Sequence, residues 1–174
     1  MGEVVFVLGG ARSGKSSFAL SEGSKIEGKK AFVATMEPGD DELKARIRAH
    51  QMERGPEWET FEEPLHLSAL LDKIGVQYKV VLVDCLTLWL SNVLFSNNGG
   101  GGGGIENEIQ GLIKAMKNAS GPVFAVSNEV GMGIVPGTPM GRTFRDEAGR
   151  VNRLMAASAD RVYLVVAGIA QRIK

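Results

Sequence analysis

Cysteine, excess charge and long apolar runs are scarce in this sequence, and each shortage excludes a class of protein. Cys85 is the single cysteine in 174 residues, so an internal disulfide is impossible and a reducing compartment is indicated. Lysine plus arginine number 20, as do aspartate plus glutamate. This balance argues against nucleic-acid binding, which usually relies on a basic excess.

The sequence also lacks any run of about 18 consecutive apolar residues, so no membrane span is predicted. Residues 1–3 lead directly into an apolar strand-like run rather than into a signal peptide. We therefore expect a cytoplasmic enzyme. Apolar residues nevertheless make up 44% of the chain, which predicts a substantial core and one domain over residues 1–174.

Short β-branched runs alternate with helical stretches along the chain. Strands buried on both faces are predicted at 4–8, 31–35, 80–83, 123–126 and 162–166, and helices near 15–27, 41–54, 65–74, 86–95, 105–118 and 146–158. This alternation predicts an α/β fold, a mostly parallel sheet with helices on both faces.

A run of glycines breaks the alternation at residues 97–104, where two asparagines precede six consecutive glycines. Glycine loses the most backbone entropy when it is ordered, so we predict a flexible surface loop. A passive linker is favoured over a lid that covers a substrate.

A phosphate-binding loop follows the first predicted strand and precedes the first predicted helix. Its pattern, G-x-x-x-x-G-K-[ST], is met by Gly9, Gly10, Ala11, Arg12, Ser13, Gly14, Lys15 and Ser16. The two outer glycines let backbone N–H groups point at phosphate oxygens. Lys15 supplies a positive charge at the β- and γ-phosphates, and the Ser16 hydroxyl suits Mg²⁺. The loop predicts binding of a nucleoside triphosphate. It resembles the loop of P-loop NTPases, which implies a RecA-like architecture for the fold.

Asp84 closes the buried run 80–83, at the end of a strand where open α/β sheets place their ligands. Beside a phosphate-binding loop, its carboxylate is expected to hold Mg²⁺ through water. The alternative is a capping residue for the helix that follows.

His50 lies on the predicted helix 41–54, four residues from both Arg46 and Arg54. A lone histidine is commonly a packed residue at the edge of a core. Two flanking arginines favour a neutral, nucleophilic imidazole beside a bound triphosphate. His66 has no comparable surroundings and is interpreted as structural.

A glycine-rich stretch over 128–136 follows the strand 123–126 and suits a loop that passes close to a ligand. Glu129 in it is a candidate base toward an incoming hydroxyl, or a partner of the metal's ligands. The alternative is a glycine turn with a solvated glutamate. Arg142, Arg145 and Arg150 either meet phosphate or corrinoid amides, or form a solvated helix face or a subunit contact.

Taken together, the motifs resemble one family along nearly the whole chain. They are Gly9-Gly-Ala-Arg-Ser-Gly-Lys-Ser16, Ala34-Thr35, Ala45-Arg-Ile-x-x-His50, Trp58-x-Thr60-x-Glu62, Asp84-Cys-Leu-Thr87, Asn128-Glu-Val-Gly-Met-Gly-Ile-Val-Pro136, Phe144-Arg-Asp-x-Ala-Gly-Arg-Val-Asn152 and Gly168-Ile. The chain is similar to the bifunctional adenosylcobinamide kinase/adenosylcobinamide-phosphate guanylyltransferases of cobalamin biosynthesis.

The resemblance implies two reactions. A nucleoside triphosphate, GTP or ATP, phosphorylates the hydroxyl of adenosylcobinamide, and GMP from GTP is then transferred through a guanylylated histidine, at the position of His50. The loop residues with Lys15 would hold phosphates in both reactions, with Mg²⁺ on Ser16 and Asp84. The resemblance assigns the guanine nucleotide site to Ala34, Thr35, Met36, Gln51, Met52, Glu53, Arg54 and Glu62, and it implies a homo-oligomer such as a trimer.

Two other functions are compatible with parts of this pattern. In a single-activity small-molecule kinase, the phosphate-binding loop and Asp84 would suffice and His50 would be incidental. A non-catalytic nucleotide switch is less favoured, because the sequence has no N-K-x-D guanine-reading motif. Ala49 stands where some members of the family have a second histidine.

Overall fold

One seven-stranded sheet organises the computed structural model, which describes residues 2–36, 55–96 and 104–174. The strands are β1 (Val4–Gly9), β2 (Lys30–Ala34), β3 (Trp58–Glu62), β4 (Val80–Asp84), β5 (Val123–Asn128), β6 (Arg161–Val166) and β7 (Ile169–Arg172). Their order across the sheet is β3-β2-β4-β5-β1-β6-β7. All neighbours pair in parallel except β6 and β7, which form an antiparallel hairpin.

Five helices accompany the sheet in the described residues. They are α1 (Lys15–Ser24), α2 (Leu67–Ile74), α3 (Leu86–Phe95), α4 (Gly104–Asn118) and α5 (Pro139–Ser158). In the part of the chain described here, no helix is long and apolar enough to cross a bilayer.

The core is split by the sheet into two layers, because successive residues of a strand point to opposite faces. In β1, Val4 and Phe6 belong to one layer, while Val5 and Val7 belong to the other. Helices α2 to α5 cover the first layer with side chains such as Leu71, Trp89, Leu112 and Met155. Helix α1 covers the second layer through Ala19 and Phe18. The predicted mostly parallel sheet with helices on both faces is confirmed.

Three elements differ from the sequence prediction. The edge strand β3 was not predicted, because only Trp58 in it is buried and polar residues interrupt any continuous apolar run. The four residues of β7 are largely exposed and carry no strand-like pattern. Helix α5 begins at Pro139 rather than near residue 146, because Thr138 caps it by accepting a hydrogen bond from the Gly141 N–H.

Two predicted segments lie outside the described residues. The helix predicted at 41–54, with His50 and the nucleotide-site candidates Gln51, Met52, Glu53 and Arg54, falls in the gap between residues 36 and 55. The predicted flexible loop at 97–104 falls in the second gap, between residues 96 and 104. Gly104 itself is described and begins α4 with a φ of 70°.

Candidate active site

The phosphate-binding loop connects the end of β1 to the start of α1 and depends on two glycine conformations. Gly9 has a φ of 157°, and a Cβ atom there would lie 2.3 Å from the carbonyl oxygen of Val165. Gly14 is the N-cap of α1 with a φ of 94°, and a Cβ there would lie 3.2 Å from the Cα of Gly168. Both positions therefore require glycine, one for space and both for backbone conformation.

Hydrogen bonds from distant parts of the chain hold this loop in place. The Gly168 N–H, in the turn between β6 and β7, donates to the Ser13 carbonyl at 2.8 Å, and the Glu129 N–H donates to the Gly9 carbonyl at 3.0 Å. The turn is sharp, with φ angles of 50° at Ala167 and 81° at Gly168. The hairpin of β6 and β7 thus supports the loop at Ser13, and the residue after β5 supports it at Gly9.

Lys15 is folded back across the loop. Only 6% of this residue is exposed, and its ammonium group donates to the Gly10 carbonyl at 2.5 Å and to the Ser13 hydroxyl at 3.4 Å. Burial lowers the pKa of Lys15 below its ordinary value, and the negative charge of Asp84 partly offsets this effect. The ammonium group is thus held by neutral oxygens, which charged phosphate oxygens can replace.

A cavity of about 510 Å³ opens beside the loop, at the carboxyl edge of the sheet. Its size falls within the range of about 300–1,000 Å³ usual for small-molecule sites. Polar and charged residues of the loop form one side, and apolar side chains form another. The lining residues are Ala11, Arg12, Ser13, Gly14, Lys15, Ser16, Ser17, Phe32, Ala34, Met36, Asp84, Cys85, Leu88, Val126 and Asn128.

Asp84 ends β4 and lines this cavity together with Lys15 and Ser16. The N-cap position of α3 is occupied by the next residue, Cys85. A carboxylate and a hydroxyl are hard oxygen donors of the kind that Mg²⁺ prefers, with phosphate oxygens and water as its other ligands. The residues present therefore fit this ion.

Thr35, a nucleotide-site candidate from the resemblance, has a different position from its two neighbours. Its side chain is fully buried, and its hydroxyl donates to the Cys85 carbonyl and accepts from the Cys85 N–H, both at 2.8 Å. Ala34 and Met36 line the cavity, whereas Thr35 fixes the backbone just after Asp84. Its observed contacts make it a support for the site rather than a wall of it.

Glu62 stands further along the same edge of the sheet. It is the last residue of β3, is exposed, and pairs in register with Ala34 of β2. This register brings Glu62 to the carboxyl edge, although the cavity described above is lined by the neighbouring strands.

A chain of buried polar groups lies behind the cavity and joins α3, β5 and α5. The Ser127 hydroxyl donates to Asn152 Oδ1 at 2.7 Å and lies 3.1 Å from the Thr87 hydroxyl, which accepts from the Asn128 N–H at 2.7 Å. Asn152 Nδ2 donates to the Asn128 carbonyl at 3.1 Å and to Glu129 Oε2 at 3.5 Å. The chain therefore ends at the acidic residue that the sequence marks as a candidate base.

The loop after β5 lies at the carboxyl edge, as predicted. Glu129 Oε1 accepts from the Gly131 N–H at 2.9 Å, which forms a local turn. Beyond it, the side chains of Met132, Ile134 and Val135 are strongly exposed. The loop therefore carries one fixed carboxylate followed by an apolar surface.

The three downstream arginines have partners within the chain. Arg142 donates to two carbonyl groups of the segment before α5, at 3.1 and 3.0 Å. Arg145 pairs with Asp146 at 2.9 Å, and Arg150 pairs with Glu106 of α4. These contacts favour a solvated helix face that fastens α5 to its surroundings.

The sheet and the loop together define a P-loop NTPase fold. The RadB recombinase shares this fold, with a TM-score of 0.53 at 15% identity over 93% of this chain and 73% of that protein.

The chain belongs to the cobinamide kinase/cobinamide phosphate guanyltransferase family (CobU), whose model matches residues 5–173. It is 40% identical to the bifunctional adenosylcobalamin biosynthesis protein CobU of Escherichia coli (strain K12), over 98% of this chain and 99% of that protein. It is 38% identical to the bifunctional adenosylcobalamin biosynthesis protein CobP of Pseudomonas aeruginosa, over 97% of this chain and 95% of that protein. The family resemblance seen in the sequence is confirmed.

Four residues at the site received no role from the sequence: Thr87, Ser127, Asn152 and Gly168. Thr87, Asn152 and Gly168 stand in the motifs that carry the family resemblance, but their contacts join segments far apart in the chain, so those motifs do not give their roles. Asn152 carries one available signal, since an amide on the apolar face of a helix is an unusual choice for a core position.

Proposed function

We propose that this protein phosphorylates the hydroxyl group of adenosylcobinamide with ATP or GTP and then transfers GMP from GTP to the product, which gives adenosylcobinamide-GDP. Family membership over nearly the full chain supports both activities. The observation that carries the proposal is the cavity in which the phosphate-binding loop, Asp84 and Asn128 meet at one edge of the sheet.

In the kinase step, the acceptor hydroxyl oxygen forms a bond to the γ-phosphorus while the bond from that phosphorus to the β,γ-bridging oxygen breaks. The loop N–H groups and Lys15 bind the phosphate oxygens and keep the reacting atoms aligned. Ser16 and Asp84 would hold Mg²⁺, which neutralises charge on the β- and γ-phosphates when bound. Glu129 accepts the proton of the attacking hydroxyl, and the nucleoside diphosphate leaves.

In the guanylyl step, the neutral imidazole of His50 attacks the α-phosphorus of GTP and pyrophosphate leaves. A phosphate oxygen of the phosphorylated acceptor then displaces the imidazole from the same phosphorus. A covalent relay suits a bulky acceptor, because the nucleotide is activated before the acceptor arrives. The support for His50 is the resemblance of the sequence around it to the family, with arginines four residues away on either side.

For the guanine nucleotide, the proposal uses Ala34 and Met36 as cavity walls and Thr35 as their support. Glu62 lies at the same edge and is assigned to the outer part of the nucleotide site. The proposal also assigns Gln51, Met52, Glu53 and Arg54 to this site, on the resemblance of the sequence after His50 to the family. The homo-oligomer and the cytoplasmic location stay predictions from the sequence.

The test is incubation with α-labelled GTP and Mg²⁺, followed by acid or alkali treatment and intact mass analysis. A GMP adduct that is acid-labile and alkali-stable is expected, because a phosphoramidate has this stability pattern. His50→Ala should abolish the adduct. His66→Ala is the matched control, since His66 is the other of the chain's two histidines and is an exposed residue at the start of α2.

The kinase step is tested separately by mass analysis of adenosylcobinamide after incubation with ATP or GTP. Phosphorylated acceptor without any protein adduct would contradict the histidine relay and favour the single-activity kinase. Tight nucleotide binding with neither product would contradict both activities.

A further inference from the structure

We infer that Asn152 is a positioning residue for the kinase step, which orients the Asn128–Glu129 corner against the phosphate-binding loop. The inference rests on the proposed function, since Glu129 is there the base that accepts the proton of the acceptor hydroxyl. It extends that function to a residue on α5 that lines no part of the cavity described above.

The first support is the burial and the full hydrogen bonding of Asn152. Only 5% of this residue is exposed, and it lies among the apolar residues with which α5 packs on the sheet. A buried amide is costly unless its polar atoms have partners. Asn152 Oδ1 accepts from Ser127, and Nδ2 donates to the Asn128 carbonyl and to Glu129 Oε2.

The second support is the direction of the hydrogen bonds, which the chemistry of the groups fixes. The single hydroxyl hydrogen of Ser127 points to Asn152 Oδ1, so the Thr87 hydroxyl must donate to the Ser127 oxygen. The Thr87 oxygen in turn accepts from the Asn128 N–H. Only one orientation of the Asn152 amide gives each of these groups a hydrogen-bond partner, and in it the NH₂ group is turned toward the Asn128 carbonyl and Glu129.

The third support is the position of the corner that Asn152 holds. Asn128 lines the cavity, and the Glu129 N–H donates to the carbonyl of Gly9, the first residue of the phosphate-binding loop. The Glu129 carboxylate is thus fixed by its own backbone, by the Gly131 N–H and by Asn152. Without the contact to Asn152, at 3.5 Å, the carboxylate keeps one hydrogen bond, from the Gly131 N–H, and its second oxygen loses its orientation.

The expected result for Asn152→Ala is a fall in kcat for adenosylcobinamide phosphorylation of about 10- to 100-fold, because small misplacements of a reacting group have effects of this size. The Kd for a non-hydrolysable GTP analogue should change less than about twofold, since the loop and Lys15 are untouched. Asn152→Asp keeps an oxygen that accepts from Ser127 but replaces the NH₂ group that donates to Glu129 with a second oxygen. It should therefore lower kcat at least as much as Asn152→Ala.

A double-mutant cycle with Glu129→Gln separates positioning from a general structural role. If Asn152 acts through Glu129, the double variant should be no slower than Glu129→Gln alone. Thr138→Ala is the control for weakening of α5, because it removes the N-cap hydrogen bond without contact to the polar chain. It should lower Tm and leave kcat unchanged.

Multiplicative losses in the double variant, or an unchanged kcat in Asn152→Asp, would overturn the inference. So would a parallel loss of kcat and analogue affinity in the Asn152 variants. If Asn152→Ala does not fold, Asn152→Asp carries the test, since it differs from the native side chain by one polar group. A wild-type protein that does not phosphorylate adenosylcobinamide would refute the proposed function itself, which is a distinguishable outcome.

Discussion

Replacement of Thr35 by valine tests whether this residue supports the site or contacts the nucleotide directly. Valine has nearly the same shape as threonine but lacks the hydroxyl, which donates to the Cys85 carbonyl and accepts from the Cys85 N–H at 2.8 Å. The position is fully buried, so water cannot replace the lost partner. Thr35→Val therefore removes the acceptor of the Cys85 N–H, whereas the Cys85 carbonyl keeps the hydrogen bond from the Trp89 N–H at 3.1 Å.

The unsatisfied Cys85 N–H costs about 1–3 kcal/mol and the hydrogen bond lost at the carbonyl about 0.5–1.5 kcal/mol, so the free energy of unfolding should fall by about 1.5–4.5 kcal/mol. For a chain of this size, each kcal/mol corresponds to about 2–4 °C in Tm, which gives a drop of roughly 3–18 °C. Thr35→Ser is the matched control, because it keeps the hydroxyl and loses one methyl group. Its cost should be near 1 kcal/mol.

The assay is thermal and urea unfolding of the nucleotide-free protein, followed by titration with GTP and Mg²⁺. We expect the large loss of stability in Thr35→Val without nucleotide, with Thr35→Ser close to the wild type. A Thr35→Val protein with wild-type stability but strongly weakened GTP binding would refute the reasoning. The hydroxyl would then act on the nucleotide rather than on the backbone after Asp84.

Three further predictions concern the phosphate-binding loop. Gly9→Ala should prevent triphosphate binding or folding, since the new methyl group would lie 2.3 Å from the Val165 carbonyl oxygen. Isothermal titration measures the binding and circular dichroism the folding of this variant. A wild-type affinity for GTP would contradict the prediction. Burial lowers the pKa of Lys15 in the free protein, and bound phosphates should raise it. GTP affinity should therefore be greatest at pH values below the pKa of the free protein and should decline as pH rises through that pKa. Titrations between about pH 7 and 10 should show this slope in the wild type and not in Lys15→Ala. Gly168→Ala should weaken GTP binding because alanine is strained at a φ of 81°, although a Cβ there meets nothing within 4 Å. Gly168→Asn should weaken GTP binding less, because asparagine tolerates this conformation. Equal GTP affinities in the two variants would count against a conformational cause.

The central strands were predictable from sequence because parallel strands covered on both faces leave continuous apolar runs. All six residues of β1 are buried, and their run is visible without any alignment. The edge strand β3 was not predictable in the same way, since Glu59 and Glu62 are exposed and interrupt its pattern. The start of α5 was missed for a different reason: Thr138 and Pro139 are a cap and first-turn pair, but glycine shortly after them suggests a loop.

The candidate site, like the fold, could be predicted from the sequence only in part. The phosphate-binding loop is contiguous in sequence, so its spacing alone predicts its chemistry. The contacts that orient it are not contiguous, because Thr87, Ser127 and Asn152 meet only after β5 and α5 have packed together. No spacing rule relates residues on three separate elements, and the same reason explains why the supporting role of Thr35 was not predicted.

The neighbours of β1 also set when in the life of the chain the nucleotide site can form. Strand β1 lies between β5 and β6, and the Ser13 carbonyl of its loop receives the Gly168 N–H. Ribosomes add about 5–20 residues per second, so residues 17–168 follow the loop over roughly 8–30 s. Throughout that interval a nascent chain carries its phosphate-binding sequence without the partners that shape it. The loop can therefore take up its folded contacts only after residue 168 has been made, and a nucleotide bound to it would stabilise the sheet with β6 in place.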